Sequence, residues 1–175
     1  MPLCDVSSPG DNRTGPWRSS RLDDAVHGPR GSCVDHERKR LTTAARYSLP
    51  VRVYWEDTDG AGVVYYANYL RFMERARTEW LRDLGFEQTR LVGEFDIGFV
   101  VRSAAIEYLR PARLDDLLTV VAEVQSVGAS VIVFRQSVMR GEEAVSEAVV
   151  RIACVRISSF RPARIPRELR AALAK

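Results

Sequence analysis

The sequence predicts an α+β fold, with one long helix laid against a curved antiparallel sheet of five strands. Three observations predict it. A helical pattern from about Asn68 to Leu84 stands between one short alternating segment and four β-rich runs. Short polar turns separate most of those runs. No strand–helix–strand repeat of the kind that builds a parallel sheet occurs.

The elements begin near Tyr47 and occupy residues 47–175. Residues 1–46 carry Pro2, Pro9, Pro16 and Pro29, scattered serines and almost no aliphatic pattern. Such a segment buries too little apolar surface to offset its ordering entropy. It is expected to be a disordered arm, of the kind a start codon set too far upstream would produce. His27, His36 and Trp17 within it need no functional reading.

In the first strand, Val51, Val53 and Trp55 alternate with Arg52 and Tyr54, the period of a half-buried strand. A polar, glycine-containing stretch follows, Glu56 to Gly62. In the helix, Tyr69, Leu70, Phe72, Met73, Ala76, Trp80, Leu81 and Leu84 fill about half the wheel at roughly 100° per residue. An arc that wide implies a helix wrapped by other structure, and Gly85 is a natural stop. Arg77 falls inside the arc, where it is expected to pair with Glu74 one turn back or to reach outwards from a buried stem. Apolar, β-branched runs then cover about 97–109, 117–125, 131–139 and 144–157. Arg161-Pro162 closes the sheet, and Pro166 opens a short C-terminal helix.

Composition narrows the function. The net charge is +3, spread along the chain, so no nucleic-acid surface is expected. No apolar run approaches the roughly 18 residues of a membrane span, and the N-terminus lacks the apolar core of a secretory signal. The expected compartment is therefore the cytoplasm. Cys4, Cys33 and Cys154 make neither a disulfide framework nor a metal motif, and Cys154 reads as a buried, chemically idle thiol. No histidine follows residue 46, which removes Ser-His and Cys-His nucleophilic devices and most transition-metal sites. Phosphate-binding and dinucleotide-binding glycine loops are missing as well.

Any chemistry in this domain must therefore be carried by a carboxylate. The candidate stretch is Glu56-Asp57-Thr58-Asp59-Gly60-Ala61-Gly62, between the first strand and the helix. Three carboxylates within four residues repel one another, and one that is also partly buried should have a raised pKa, which suits proton transfer near neutrality. The plainer reading is a solvated turn. A calcium loop fits poorly, because Ala61 falls on the next alternate position and no acid closes the loop.

The run from Val51 through Tyr54-Trp55-Glu56-Asp57-Thr58-Asp59 to Tyr69, continued by Phe72-Met73-Glu74-Arg75-Ala76-Arg77-Thr78-Glu79, closely resembles the bacterial acyl-CoA thioesterases associated with the Tol-Pal system. These lie in the 4-hydroxybenzoyl-CoA thioesterase-like group of hotdog-fold proteins. Glu107-Tyr108-Leu109-Arg110-Pro111 and Phe99-Val100-Val101-Arg102 resemble the same family, and the likeness spans about residues 49 to 166. It implies hydrolysis of acyl-CoA to a free acid and a thiol, with no cofactor and no metal. It implies Asp59 as the catalytic aspartate, acting as nucleophile or as general base, with Tyr66 beside it. Substrate contacts are expected at Trp55, Gly62, Val63 and Arg102. Two units are expected to pair sheet to sheet, as a homodimer or homotetramer with sites at the interface.

Three positions depart from the family pattern. Relatives often carry tyrosine at Trp55 and histidine at Tyr66, and they often place a basic residue in the turn formed here by Gly128-Ala129-Ser130. Arg102, Arg110 or Arg113 could compensate in binding a CoA phosphate. The alternative to an enzyme is a non-catalytic hotdog dimer that binds acyl carrier protein or lipid-synthesis enzymes as a scaffold. Retention of Asp59 favours the enzyme, and loss of the histidine favours the scaffold.

Overall fold

The computed structural model describes residues 45–174. The expectation of a disordered arm therefore falls almost wholly outside the described residues. The elements run β1 (Arg46–Arg52), a single 3-10 turn (Trp55–Asp57), α1 (Tyr66–Asp83), α2 (Gln88–Phe95), β2 (Ile97–Tyr108), β3 (Leu117–Val127), β4 (Val131–Arg140), β5 (Glu143–Arg156) and α3 (Arg167–Leu173). The five strands form one antiparallel sheet in the order β1-β3-β4-β5-β2. This is a hotdog fold, with α1 as its central helix.

The helix lies where its apolar arc requires. Tyr69, Phe72, Met73, Ala76, Trp80 and Leu81 are buried against alternate residues of the sheet, among them Leu118 and Val120 of β3, Phe134 and Val138 of β4, and Val150 and Ile152 of β5. Such burial contributes about 25 cal/mol per Å² of apolar surface, the main term holding a helix on a sheet. Leu84 caps α1, and Gly85 follows at φ 83°, the left-handed conformation that glycine adopts without strain.

Two expectations are corrected. The alternation that includes Trp55 outruns the strand. β1 ends at Arg52, Val53 is buried in the core, and Trp55 stands 78% exposed at the head of the 3-10 turn. The physical cause is Asp57, whose carboxylate accepts the Tyr54 N–H at 2.9 Å and turns the chain away from the sheet. Helix α2 was not anticipated either. It is eight residues long and buries only Leu91, too few apolar positions to set up a period.

A bulge decides what β2 presents to α1. Its pairing with β5 slips between Val101 and Ser103, leaving Arg102 as the extra residue. Before the bulge, Phe99 and Val101 sit opposite the buried Cys154 and Ile152. After it, Ala104 and Ile106 sit opposite the buried Val150 and Ala148. The helix-facing row thus changes from odd to even numbers, because one inserted residue switches the face of every residue beyond it. Tyr108 consequently points towards α1.

Candidate active site

The site grows from the loop between β1 and α1. Asp57 and Asp59 are two residues apart, and the chain sends them opposite ways. Asp57 is 3% exposed; besides its carboxylate bond to Tyr54, its carbonyl accepts the Tyr65 N–H at 2.8 Å and the Asn68 side-chain amide at 3.0 Å. It locks the loop to the start of α1. Asp59 is exposed, with Oδ1 accepting the Ala61 N–H at 2.8 Å. Among the described residues Oδ2 accepts no hydrogen bond, and Asp59 lines the adjoining cavity. The like charges are therefore separated by fold geometry: Asp57 is inside, while Asp59 and Glu56 are outside.

The Asp59 turn is tight. The Asp59 N–H donates to the Val63 carbonyl and the Gly62 N–H to the Asp59 carbonyl, each at 2.9 Å. Gly62 reaches φ 72° to close it. Beyond the turn, Val64 and Tyr65 lead into α1, whose first amides have no intrahelical acceptor. Tyr66 and Ala67 head the helix, so their N–H groups point out of its positive end, a ready site for developing negative charge.

Asp59, Val63, Val64, Tyr66, Tyr69 and Tyr108 share a cavity of about 310 Å³ with Leu109, Arg110 and Pro111. Asp59 is its single carboxylate. The tyrosines are interlocked: the Tyr66 and Tyr108 rings meet edge to face at 6.5 Å, and those of Tyr69 and Tyr108 at 5.6 Å. Burial pushes the Tyr69 phenol above its ordinary pKa, partly offset by the Ala112 N–H that its oxygen accepts at 3.1 Å. Burial, aided by Tyr66, also raises Tyr108. Both phenols stay protonated near neutrality; the Tyr108 hydroxyl donates to the Tyr66 carbonyl and the Tyr69 oxygen accepts from Ala112, so neither is placed as a base.

Of the expected site residues, Asp59, Val63 and Tyr66 come together in this cavity, and Gly62 shapes its turn. Trp55 and Arg102 do not line it. Arg102 is exposed at the β2 bulge, and Arg110 is engaged with Glu143 at 3.3 Å. Tyr69 and Tyr108 were missed. Tyr69 read as core, and Tyr108 gave no signal, because its orientation depends on the bulge. Cys154 is buried, and burial raises its thiol pKa, as an idle core thiol requires.

A long helix cradled by a five-stranded sheet, with an open carboxylate at the helix mouth, defines the hotdog-fold thioesterases as a class. The thioesterase superfamily model matches residues 61–147. The acyl-CoA thioesterase YbgC of Haemophilus influenzae is 50% identical over 126 residues, covering 72% of this chain and 93% of the relative. The acyl-CoA thioester hydrolase YbgC of Escherichia coli O6:H1 is 44% identical over 129 residues, covering 73% and 94%. A probable thioesterase from Bartonella henselae superposes with a TM-score of 0.67 at 38% identity, over 70% of this chain and all of that one. The chain belongs to the thioesterase superfamily, among the YbgC-type acyl-CoA thioesterases.

Proposed function

We propose that this enzyme hydrolyses acyl-CoA thioesters at the Asp59 cavity. The observation that carries the assignment is Asp59 itself: a lone carboxylate, one oxygen tethered and the other free, beside unpaired amides at a helix start. In this reading the thioester carbonyl oxygen takes the N–H groups of Tyr66 and Ala67, which stabilise the oxyanion as it forms. The free Oδ2 of Asp59 attacks the carbonyl carbon or draws a proton from the attacking water. The carbon–sulfur bond then breaks, and CoA leaves as the thiol. The sequence also leaves the backbone of Gly98 to Val101 as an oxyanion donor; the helix start is preferred because that segment lies about 23 to 33 Å along β2 from Tyr108, at about 3.3 Å per residue.

The acyl group would lie in the groove between α1 and β2. That groove is open because β2 is an edge strand whose helix-facing Val101 is 55% exposed. An uncovered edge of twelve residues with exposed apolar side chains is unstable in water as a monomer surface. A second copy joined along β2 would close it, and a homodimer is the smallest assembly we propose. Acyl carrier protein presents the same kind of thioester, and the exposed series Arg161, Arg164, Arg167 and Arg170 would suit so acidic a carrier. The compartment in this reading is the cytoplasm, where CoA esters are made.

The test is a panel of acyl-CoAs read with a thiol-trapping dye. Asp59→Asn should lower turnover at least about a hundredfold, the lower range for a positioned acid–base group, with the fold intact by circular dichroism. Near-normal turnover in that variant would remove Asp59 from the mechanism.

A further inference from the structure

The polar group that the mechanism leaves unused is Arg77. It sits within the apolar arc of α1, half-buried, and its guanidinium donates to Oε1 of Gln136. Gln136 is 1% exposed, in the helix-facing row of β4 between Phe134 and Val138, and its Nε2 donates to the Met73 carbonyl at 3.0 Å. Two long polar side chains thus take up space in the middle of the core, although apolar residues there would pack more cheaply. The expected Glu74 partnership does not form. Arg77 takes part in none of the ion pairs among the described residues, and Glu74 accepts the Thr78 hydroxyl at 2.7 Å instead.

Burial lowers the guanidinium pKa, and Glu74 opposes the shift only as the lesser cause. An arginine stays charged despite such a shift. It is therefore a partly desolvated cation with donors to spare. Arg77 also borders both parts of the groove: a wide part of about 450 Å³ beside Val101 and Ala104, and a narrow part beside Leu81 and Phe99. In the wide part Arg71, Arg75 and Arg77 face a single acid, Glu74, so the local charge is positive. The groove walls are otherwise largely apolar.

A groove with apolar walls and an oriented cation that forms no ion pair among the described residues is suited to receive a chain that ends in an anion. We propose that Arg77, held in place by Gln136, selects acyl-CoAs whose acyl group ends in a carboxylate. Gln136 is the positioning residue. It consumes one guanidinium donor and fixes the plane, leaving the other edge to pair with a carboxylate through charge-assisted bonds. This inference rests on the reading above that the acyl chain lies along α1.

The experiment compares succinyl-, adipoyl-, sebacoyl- and tetradecanedioyl-CoA with the monocarboxylic acyl-CoAs of equal length, on the full chain. At the best length the dicarboxylic substrate should lead in kcat/KM by at least about tenfold, what one partly desolvated charge-assisted pair provides. Arg77→Met should reverse the order. Gln136→Glu gives Arg77 an internal carboxylate and gives up the Nε2 bond to the Met73 carbonyl; it should erase the preference, read as the ratio of kcat/KM within each substrate pair whatever the overall rate. Equal losses on every substrate pair, or no discrimination by the wild type, would overturn the proposal and leave Arg77 as a helix-to-sheet tie. Non-hydrolysable thioether analogues of the same pairs, titrated by calorimetry, keep the two readings separate. A carboxylate preference in binding without any turnover would sink the Asp59 mechanism and sustain the Arg77 assignment.

Discussion

The phenol of Tyr108, at the end of β2, donates a hydrogen bond of 3.1 Å to the main-chain carbonyl of Tyr66, in the first turn of α1. It ties the edge strand to the helix start that borders the Asp59 cavity. Tyr108→Phe keeps the ring and removes only this tie. It should lower kcat by about fivefold, the kinetic equivalent of one hydrogen bond's ~1 kcal/mol, with KM and thermal stability little changed. Stopped-flow or steady-state thiol release would measure it, and an unaltered kcat would mean the helix start is set without β2.

Tyr66 separates a polar contact from a wall. Tyr66→Phe should reduce turnover less than Asp59→Asn does, since it removes a hydroxyl that orients water or substrate. Tyr66→His installs the residue common among relatives. It should keep or raise activity and add an inflection to the pH–rate profile near the imidazole pKa of about 6.5. A flat profile across that range would put position 66 outside the reacting atoms.

Asp57→Asn should damage stability more than chemistry. The buried carboxylate accepts the Tyr54 N–H, and an amide retains one acceptor there but adds donors with nothing to bond. A loss of about 1–3 kcal/mol in urea unfolding is expected from such an unsatisfied buried group, with turnover of the folded fraction close to wild type. Abolished turnover with intact stability would mean the catalytic aspartate has been misassigned.

The β2 edge predicts assembly. Ala104→Glu places a charge on the exposed, helix-facing side of that strand, where a two-fold partner would present the same charge in return. Light scattering should show the wild type as a dimer or larger and the variant as an inactive monomer. A monomer with full activity would defeat the shared groove.

Asp96 gives a pH signature outside the site. The Ser158 hydroxyl donates to its carboxylate at 2.6 Å and the Ser158 N–H at 2.9 Å, and these bonds are the first causes that hold its pKa below the ordinary value. A depressed folded-state pKa stabilises the fold above the unfolded aspartate value of about 3.9 and loses that benefit as pH falls through the folded value. Ser158→Ala should therefore melt lower at neutral pH, and the gap to wild type should close on acidification. A gap constant with pH would refute the linkage.

The fold was readable because its long elements repeat. Eighteen residues of α1 and the runs of β2 to β5 each carry enough apolar positions to define a period. What could not be read depends on contacts distant in sequence. The Val51-Val53-Trp55 alternation says nothing of the Asp57 cap that ends it, and helix α2 buries Leu91 alone. Asp59 was legible through elimination and resemblance. Tyr108 was not, since a single extra residue at Arg102 decides which way it points. Nor was the Arg77–Gln136 bond, which joins residues 59 positions apart.

The turn that presents Asp59 also exposes it to covalent ageing. Gly60 follows directly, is exposed, and carries no side chain to hinder approach to its main-chain nitrogen. With asparagine in place of Asp59, that nitrogen can attack the side-chain carbonyl carbon and expel ammonia. The resulting succinimide opens with water to aspartate or isoaspartate. Asp59→Asn is therefore a variant that repairs itself: stored protein should regain hydrolysis slowly, with a mass gain from amide to acid on that peptide. Freshly prepared samples give the true residual rate, and Asp59→Ala, which lacks the side-chain carbonyl, should stay silent however long it is kept.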